Sequence, residues 1–198
     1  MRTANIIKSA KCISLRVCAG VCLGGMLALS AVHLAHAESF SAPSGIAILG
    51  GYGSNVDVAG AEVFWDNFYS NAWFKDHGLV TRLVAEVGYW HSRDDKNEHS
   101  PVVNVGVTPQ VRWLAPQLGA VRPFLEAGIG VRLLSHTQID ERRMAIAAQF
   151  GERLGVGFSF GPQDRYETAL FLQHVSNGRI KQPNNGFTYF GLNLRMKL

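Results

Sequence analysis

Beyond residue 37 the chain has no cysteine, since Cys12, Cys18 and Cys22 all fall before that point. This excludes a disulfide scaffold, a thiol nucleophile and a cysteine-ligated metal site from the remaining 161 residues. On the near side of the boundary the missing residue type is acid. Residues 1–37 carry Arg2, Lys8, Lys11 and Arg16 but no Asp or Glu. Removing those four from the 19 basic residues leaves 15 against 15 acidic ones, so the formal charge of +4 vanishes with the segment. A neutral remainder argues against nucleic acid as a partner, because a basic footprint should survive the subtraction. Charged residues make up only 17% of the chain, and no apolar run after residue 37 approaches the roughly 20 residues a spanning helix needs. One domain fits the length.

The lopsided first segment has the layout of an export signal. Its basic part runs to Arg16, an apolar stretch follows from Val17 to about Ala35, and Ala35-His36-Ala37 has the small-x-small form of a cleavage site. A spanning helix is the rival reading, but the cleavage site and the polar Glu38-Ser39 after it favour the signal. A lipoprotein reading built on Cys22 is weaker, because Val21 stands where a small residue is expected. Residues 1–37 are thus expected to be a cleaved secretory signal peptide, and 38–198 a single exported domain.

What that domain does contain is period-two alternation, the signature of strands. Val103, Val105, Val107, Val111 and Trp113 alternate with Asn104, Gly106, Thr108, Gln110 and Arg112. Leu125, Ala127, Ile129, Val131 and Leu133 alternate with Glu126, Gly128, Gly130 and Arg132, and Phe190, Leu192 and Leu194 with Gly191, Asn193 and Arg195. In a soluble sandwich the apolar set would be the core. These strands run about 10 to 13 residues, however, where globular strands run about 5 to 6. Their opposite faces mix glycine with both signs of charge, as a crowded polar barrel interior requires. The alternating strand that ends on the apolar Leu198 also resembles the terminal signature of outer-membrane barrels, where Phe is usual. The expected fold is all-β, an eight-stranded antiparallel transmembrane β-barrel of the outer membrane. Its strands are expected near 44–53, 58–68, 79–91, 101–113, 121–134, 146–160, 165–177 and 187–198. Turn residues separate them, such as Asp76-His77-Gly78, Gly161-Pro162 and Pro183-Asn184-Asn185-Gly186. Eight strands leave an interior that side chains fill, which argues against a diffusion channel.

Reactive groups are few. Of the histidines past residue 37, His77, His91, His99 and His136 sit in or beside turns, and no pair shares a strand face with a carboxylate. A metal site is therefore not expected. His174 differs, because parity places Leu170, Leu172, His174 and Ser176 together on the apolar face of one strand. Polar groups on a lipid-facing stripe are costly without a purpose or partner. Residues i and i+2 on a strand are about 7 Å apart and point the same way, so an imidazole and a hydroxymethyl group can close to hydrogen-bonding range. Such a pair can make a serine nucleophile for acyl transfer. It can equally be two polar groups at headgroup level, and His-x-Ser alone does not choose.

The run from His174-Val175-Ser176-Asn177 through Gly178 to Lys181-Gln182-Pro183-Asn184-Asn185-Gly186 resembles the C-terminal motif of the PagL-type lipid A 3-O-deacylases. Pro123 to Gly130 and Phe150 to Gly155 resemble further segments of that family. The likeness covers roughly residues 120–198 well and earlier strands only in pattern. It implies an outer-membrane barrel that hydrolyses the ester-linked acyl chain at the 3-position of lipid A without a cofactor. The implied roles are base for His174, nucleophile for Ser176, and an activity-critical amide, through the oxyanion, for Asn177. The implied partner is lipid A or lipopolysaccharide within the membrane, with a homodimer as a compatible assembly. The family's third member, a Glu that orients the imidazole, falls at Thr188 here. A threonine hydroxyl can hold the imidazole tautomer but brings no charge to an imidazolium. Glu152, on the apolar stripe Phe150, Leu154, Val156 and Phe158, is the first substitute expected, so Glu152→Gln should cost more activity than Thr188→Ala. A Glu152 paired with Arg153, or turned inward at a bulge, is the bland alternative. With both termini on the periplasmic side, the loop 178–186 is expected to be extracellular, with Arg179 and Lys181 near the lipid A phosphates. A catalytically weakened or silent barrel with a structural or lipid-binding role is the second reading, and Thr188 is its support.

Overall fold

The computed structural model describes residues 42–94 and 100–198, so the expected signal segment and His99 lie outside the described residues. Eight strands form the wall: β1 (Gly45–Gly53), β2 (Val56–Asp66), β3 (Leu79–Ser92), β4 (Val102–Leu114), β5 (Val121–Leu134), β8 (Ala148–Phe160), β9 (Tyr166–Ser176) and β10 (Phe187–Lys197). Each pairs antiparallel with its chain neighbours, and β1 returns to β10 through a register from Gly45 opposite Lys197 to Tyr52 opposite Phe190. The sheet therefore closes and leaves no unpaired edge.

The alternation located these strands to within about two residues, as expected for boundaries read from pattern. The largest displacement is β2, which spans 56–66 where 58–68 was expected. Its cause is a two-residue turn, Ser54-Asn55, with φ of 49° and 66°. Both central residues are left-handed, which matches the twist of the flanking strands and lets pairing resume at once, Gly53 opposite Val56. A short helix and a short hairpin fall outside the alternating strands. Helix α1 (Ala72–Asp76) is capped by Asn71, whose Oδ1 accepts the Phe74 N–H at 2.9 Å. A hairpin of β6 (Gln138–Ile139) and β7 (Arg142–Arg143) sits in the connection from β5 to β8.

The two faces of the wall are inverted relative to a soluble sandwich. Ile48, Val131, Leu154, Leu170 and Phe190 are 60% or more exposed on the outside, while Arg82, Arg132, Arg153, Arg195 and four glutamates are buried within. This is the surface of a transmembrane barrel, whose outer band meets lipid. Near the termini, Arg82 and Arg112 converge on Glu167 at 2.7 and 3.0 Å, and Arg195 grips Glu126 at 2.6 and 2.8 Å. Higher up, Arg153 joins Glu62 to Glu86, and Arg132 binds Glu86 as well. Bulky guanidinium groups need space, which glycine on the neighbouring strand supplies. A Cβ on Gly151 would lie 2.5 Å from Arg132 Nε, and one on Gly155 2.9 Å from Glu126 Cγ.

Toward the end away from the termini the interior turns apolar. Trp90, Phe171, Phe187 and Tyr189 are fully buried there, with Trp90 and Phe187 ring centres 5.0 Å apart. Ile139 and Met144, from the connection that holds β6 and β7, are buried in the same cluster. That loop therefore folds onto the barrel mouth, because its two apolar side chains complete an aromatic core.

Candidate active site

Register decides which side chains meet outside the barrel. In β9, His174 stands between Glu152 of β8 and Thr188 of β10, all three in one row on the outer face. Ser176, two residues on, stands opposite Phe150 of β8. The β10 pairing begins at Phe187 opposite Val175, so Ser176 lies where the β9–β10 ladder ends and the loop starts. Parity thus puts His174 and Ser176 on the expected face, and the last rung leaves the hydroxyl accessible.

The imidazole has one hydrogen-bond partner among the described residues: Nδ1 lies 2.7 Å from Thr188 Oγ1. Glu152 does face outward beside the ring, and Arg153 points inward to Glu62 and Glu86. No hydrogen bond links the Glu152 carboxylate to His174 among the described residues, although both line a shallow recess of about 200 Å³ with Leu154 and Leu172. On the remaining side, Gly186 abuts the ring. A Cβ there would lie 3.1 Å from His174 Cε1 and 3.4 Å from Nε2, at a left-handed φ of 64°. Glycine is thus required twice over, for the backbone angle and for the close approach.

Ser176 Oγ accepts the N–H of Gly178 at 3.4 Å, and no hydrogen bond joins it to His174 among the described residues. Asn177 is buried and holds the loop together. Its N–H donates to Asn184 Oδ1 at 3.0 Å and its Nδ2 to the Lys181 carbonyl at 2.8 Å. Arg179 and Lys181 stand exposed on that loop. The other described histidines keep local company, His77 with the Trp73 carbonyl, His91 with Ser100 and His136 with Ser135.

A second recess, of about 590 Å³ and almost wholly apolar, opens on the neighbouring outer wall between Val105, Val131, Leu133, Ile146, Phe150 and Ile180. Phe150 is the cross-strand neighbour of Ser176, so the recess begins about one strand spacing, roughly 4.8 Å, from the serine backbone. Sequence reasoning missed this recess, which draws on four strands and two loops. Gly186 is visible in the sequence as the end of a motif, but its contact with the imidazole depends on tertiary structure.

An eight-stranded closed barrel with an apolar outer band is an outer-membrane β-barrel, and this one carries a histidine, a serine and a threonine on its outer wall beside an apolar recess. The family model described as lipid A 3-O-deacylase (PagL) matches residues 59–197, and the chain belongs to that family. Lipid A deacylase PagL of Pseudomonas aeruginosa is 27% identical over 172 residues, 86% of this chain and 93% of the relative. Lipid A deacylase PagL of Bordetella bronchiseptica is 35% identical over 106 residues, 52% of this chain and 56% of that protein's length. The crystal structure of the outer membrane enzyme PagL superposes with a TM-score of 0.66 at 22% identity, over 78% of this chain and 99% of that one.

Proposed function

We propose that this protein is an outer-membrane serine esterase that removes the acyl chain at the 3-position of lipid A. The carrying observation is the 2.7 Å contact between His174 Nδ1 and Thr188 Oγ1, with Ser176 two residues along the same lipid-facing stripe. When Nδ1–H donates to Thr188, the lone pair lies on Nε2, which is the tautomer a general base needs. His174 then takes the Ser176 proton while Oγ attacks the ester carbonyl carbon. The imidazolium returns that proton to the departing sugar 3-oxygen, leaving an acyl-serine and a free hydroxyl. Water, deprotonated by the same imidazole, cleaves the acyl-serine and releases a carboxylic acid. Hydrogen bonds of this kind are often long in a free enzyme and tighten once substrate binds.

The surroundings support the reading in three ways. The Gly178 N–H lies 3.4 Å from Ser176 Oγ, beside the attacking atom, and a small turn of the loop would aim it at the carbonyl oxygen of a bound ester. Asn177 acts by holding that turn, since both its N–H and its Nδ2 are engaged within the loop. The apolar recess beside Phe150 suits an acyl chain, and the exposed Arg179 and Lys181 suit lipid phosphates. Glu152 stands next to the imidazole, across the strand pair, without a hydrogen bond to it. In this reading residues 1–37 are a signal peptide that is cleaved on export, the termini face the periplasm, and the far end presents the site to the outer leaflet.

A silent barrel is the second reading, favoured by Thr188 in the family's Glu position and by the absence of a His174–Ser176 hydrogen bond among the described residues. Mass spectrometry of lipid A incubated with the folded protein in detergent separates the two. Loss of one acyl chain is expected, and an unchanged mass would refute the esterase.

A further inference from the structure

The loop from β5 to β8 reaches the site as well as the barrel mouth. Arg142 Nη1, in β7, donates to the carbonyl of Gly186 at 3.2 Å, across 44 residues of chain. Gly186 is the residue whose backbone walls the Cε1–Nε2 edge of His174. Thr188 holds the opposite nitrogen. The ring is thus confined between two residues at the start of β10, and the nearer of these is tethered by Arg142.

The tether has a fixed base. Ile139 and Met144, on either side of Arg142, are buried in the aromatic cluster. The Ala145 N–H donates to the Pro183 carbonyl at 2.8 Å, and the Asn185 N–H to the Arg143 carbonyl at 3.1 Å. The β6–β7 hairpin and its flank therefore brace the loop 177–186, and the Arg142 bond falls on Gly186, the residue that abuts the imidazole.

We propose that Arg142 is a positioning residue for His174, acting through the Gly186 carbonyl to hold the imidazole edge from which Nε2 must reach Ser176 when substrate is bound. This rests on the reading of His174 as the general base. An error of about 1 Å in such a placement can cost up to 10²-fold in rate. Loss of one tether that leaves Thr188 in place should cost about tenfold in kcat with KM nearly unchanged.

The test uses the full chain folded in detergent micelles, with hexa-acylated lipid A as substrate. Arg142→Met keeps the apolar stem and removes the donor, whereas Arg142→Lys restores a donor at similar length. The Met variant is expected to lose about tenfold in kcat, and the Lys variant to stay within about threefold of the parent. Equal kcat in the two variants, whether parent-like or low, overturns the proposal, because the donor would then make no difference. A second readout is independent of catalysis. With ¹⁵N-labelled histidine, and the His174 ring signal assigned by its loss in His174→Gln, Arg142→Met should shift or broaden that signal and Arg142→Lys should not. An unmoved signal in Arg142→Met overturns the tether even if the enzyme is active. If His174 proves dispensable for activity, a moved signal still supports the tether while the base assignment fails.

Discussion

Glu152 and Arg153 are neighbours in the chain and opposites in circumstance. Arg153 points inward, fully buried, and satisfies Glu62 and Glu86 at once. Glu152 points outward beside His174 and makes no hydrogen bond with it. The same contrast holds for the two regions they belong to. Inside, Arg82, Arg112, Arg132, Arg153 and Arg195 meet Glu62, Glu86, Glu126, Glu167 and Asp66, with the partly exposed Lys197 also 3.5 Å from Glu167, so that each buried charge has an opposite partner. Outside, one imidazole, one hydroxyl and one carboxylate share a row, with the Ser176 hydroxyl two residues further along β9 opposite Phe150. Buried charges survive when each is paired, and removing one partner strands the other. The outer groups are only partly partnered, and this leaves them available for chemistry on an added substrate. Polarity within the wall is paired and structural; on the outer surface it is left partly unpaired, which the proposed function assigns to chemistry.

Substitutions on either side of the wall can break that contrast. The largest effect is expected from Ser176→Ala and His174→Ala, each lowering lipid A deacylation by about 10⁴-fold or more while the barrel still folds. Lipid A mass conversion measures the first half, and the shift in gel mobility between folded and heated protein measures the second. Activity that survives Ser176→Ala removes the assigned nucleophile. Next comes Arg153→Met, which should destabilise the barrel by about 3–5 kcal/mol by leaving Glu62 and Glu86 without their shared cation. Urea unfolding followed by tryptophan fluorescence reads this, and Glu152→Gln in the same assay should stay within about 0.5 kcal/mol of the parent. If the two adjacent substitutions cost the same, the division between inner and outer polarity is wrong.

Smaller effects sharpen the outer row. Neutralising the acid of a Ser-His-Asp triad costs about 10⁴-fold in kcat, largely through the wrong tautomer. Thr188 is neutral already, so Thr188→Ala should cost less, about 10- to 100-fold in kcat. Thr188→Glu, which restores an acceptor that carries charge, should match or exceed the parent. Glu152→Gln should have the smallest effect, below about tenfold, because its carboxylate makes no hydrogen bond to the ring. This order inverts the one expected from sequence, and the reason is the observed bond to Thr188. Initial rates on lipid A rank the three variants.

Much of this was legible before any coordinates. Period-two alternation in stretches such as Val103–Trp113 fixes which side chains face out, because parity is a local property of an extended chain. It placed His174 and Ser176 on the lipid side, where polar residues stand out. Alternation carries no register, so it did not pair His174 with Thr188 at hydrogen-bonding distance or set Phe150 opposite Ser176. It also gave no sign that the β5–β8 connection would bury Ile139 and Met144, since a loop of mixed composition has no period to read.

The sequence by itself determined the strand count, the inward and outward faces and the residues set apart on the outer one, because all of these follow from backbone geometry repeated along the chain. Only closure of the barrel decided the rest. It brought β8, β9 and β10 into one row, and it docked a hairpin of distant residues beside the imidazole. Those contacts join groups 14 to 44 residues apart, and their distances are set by the whole circuit of strands and loops.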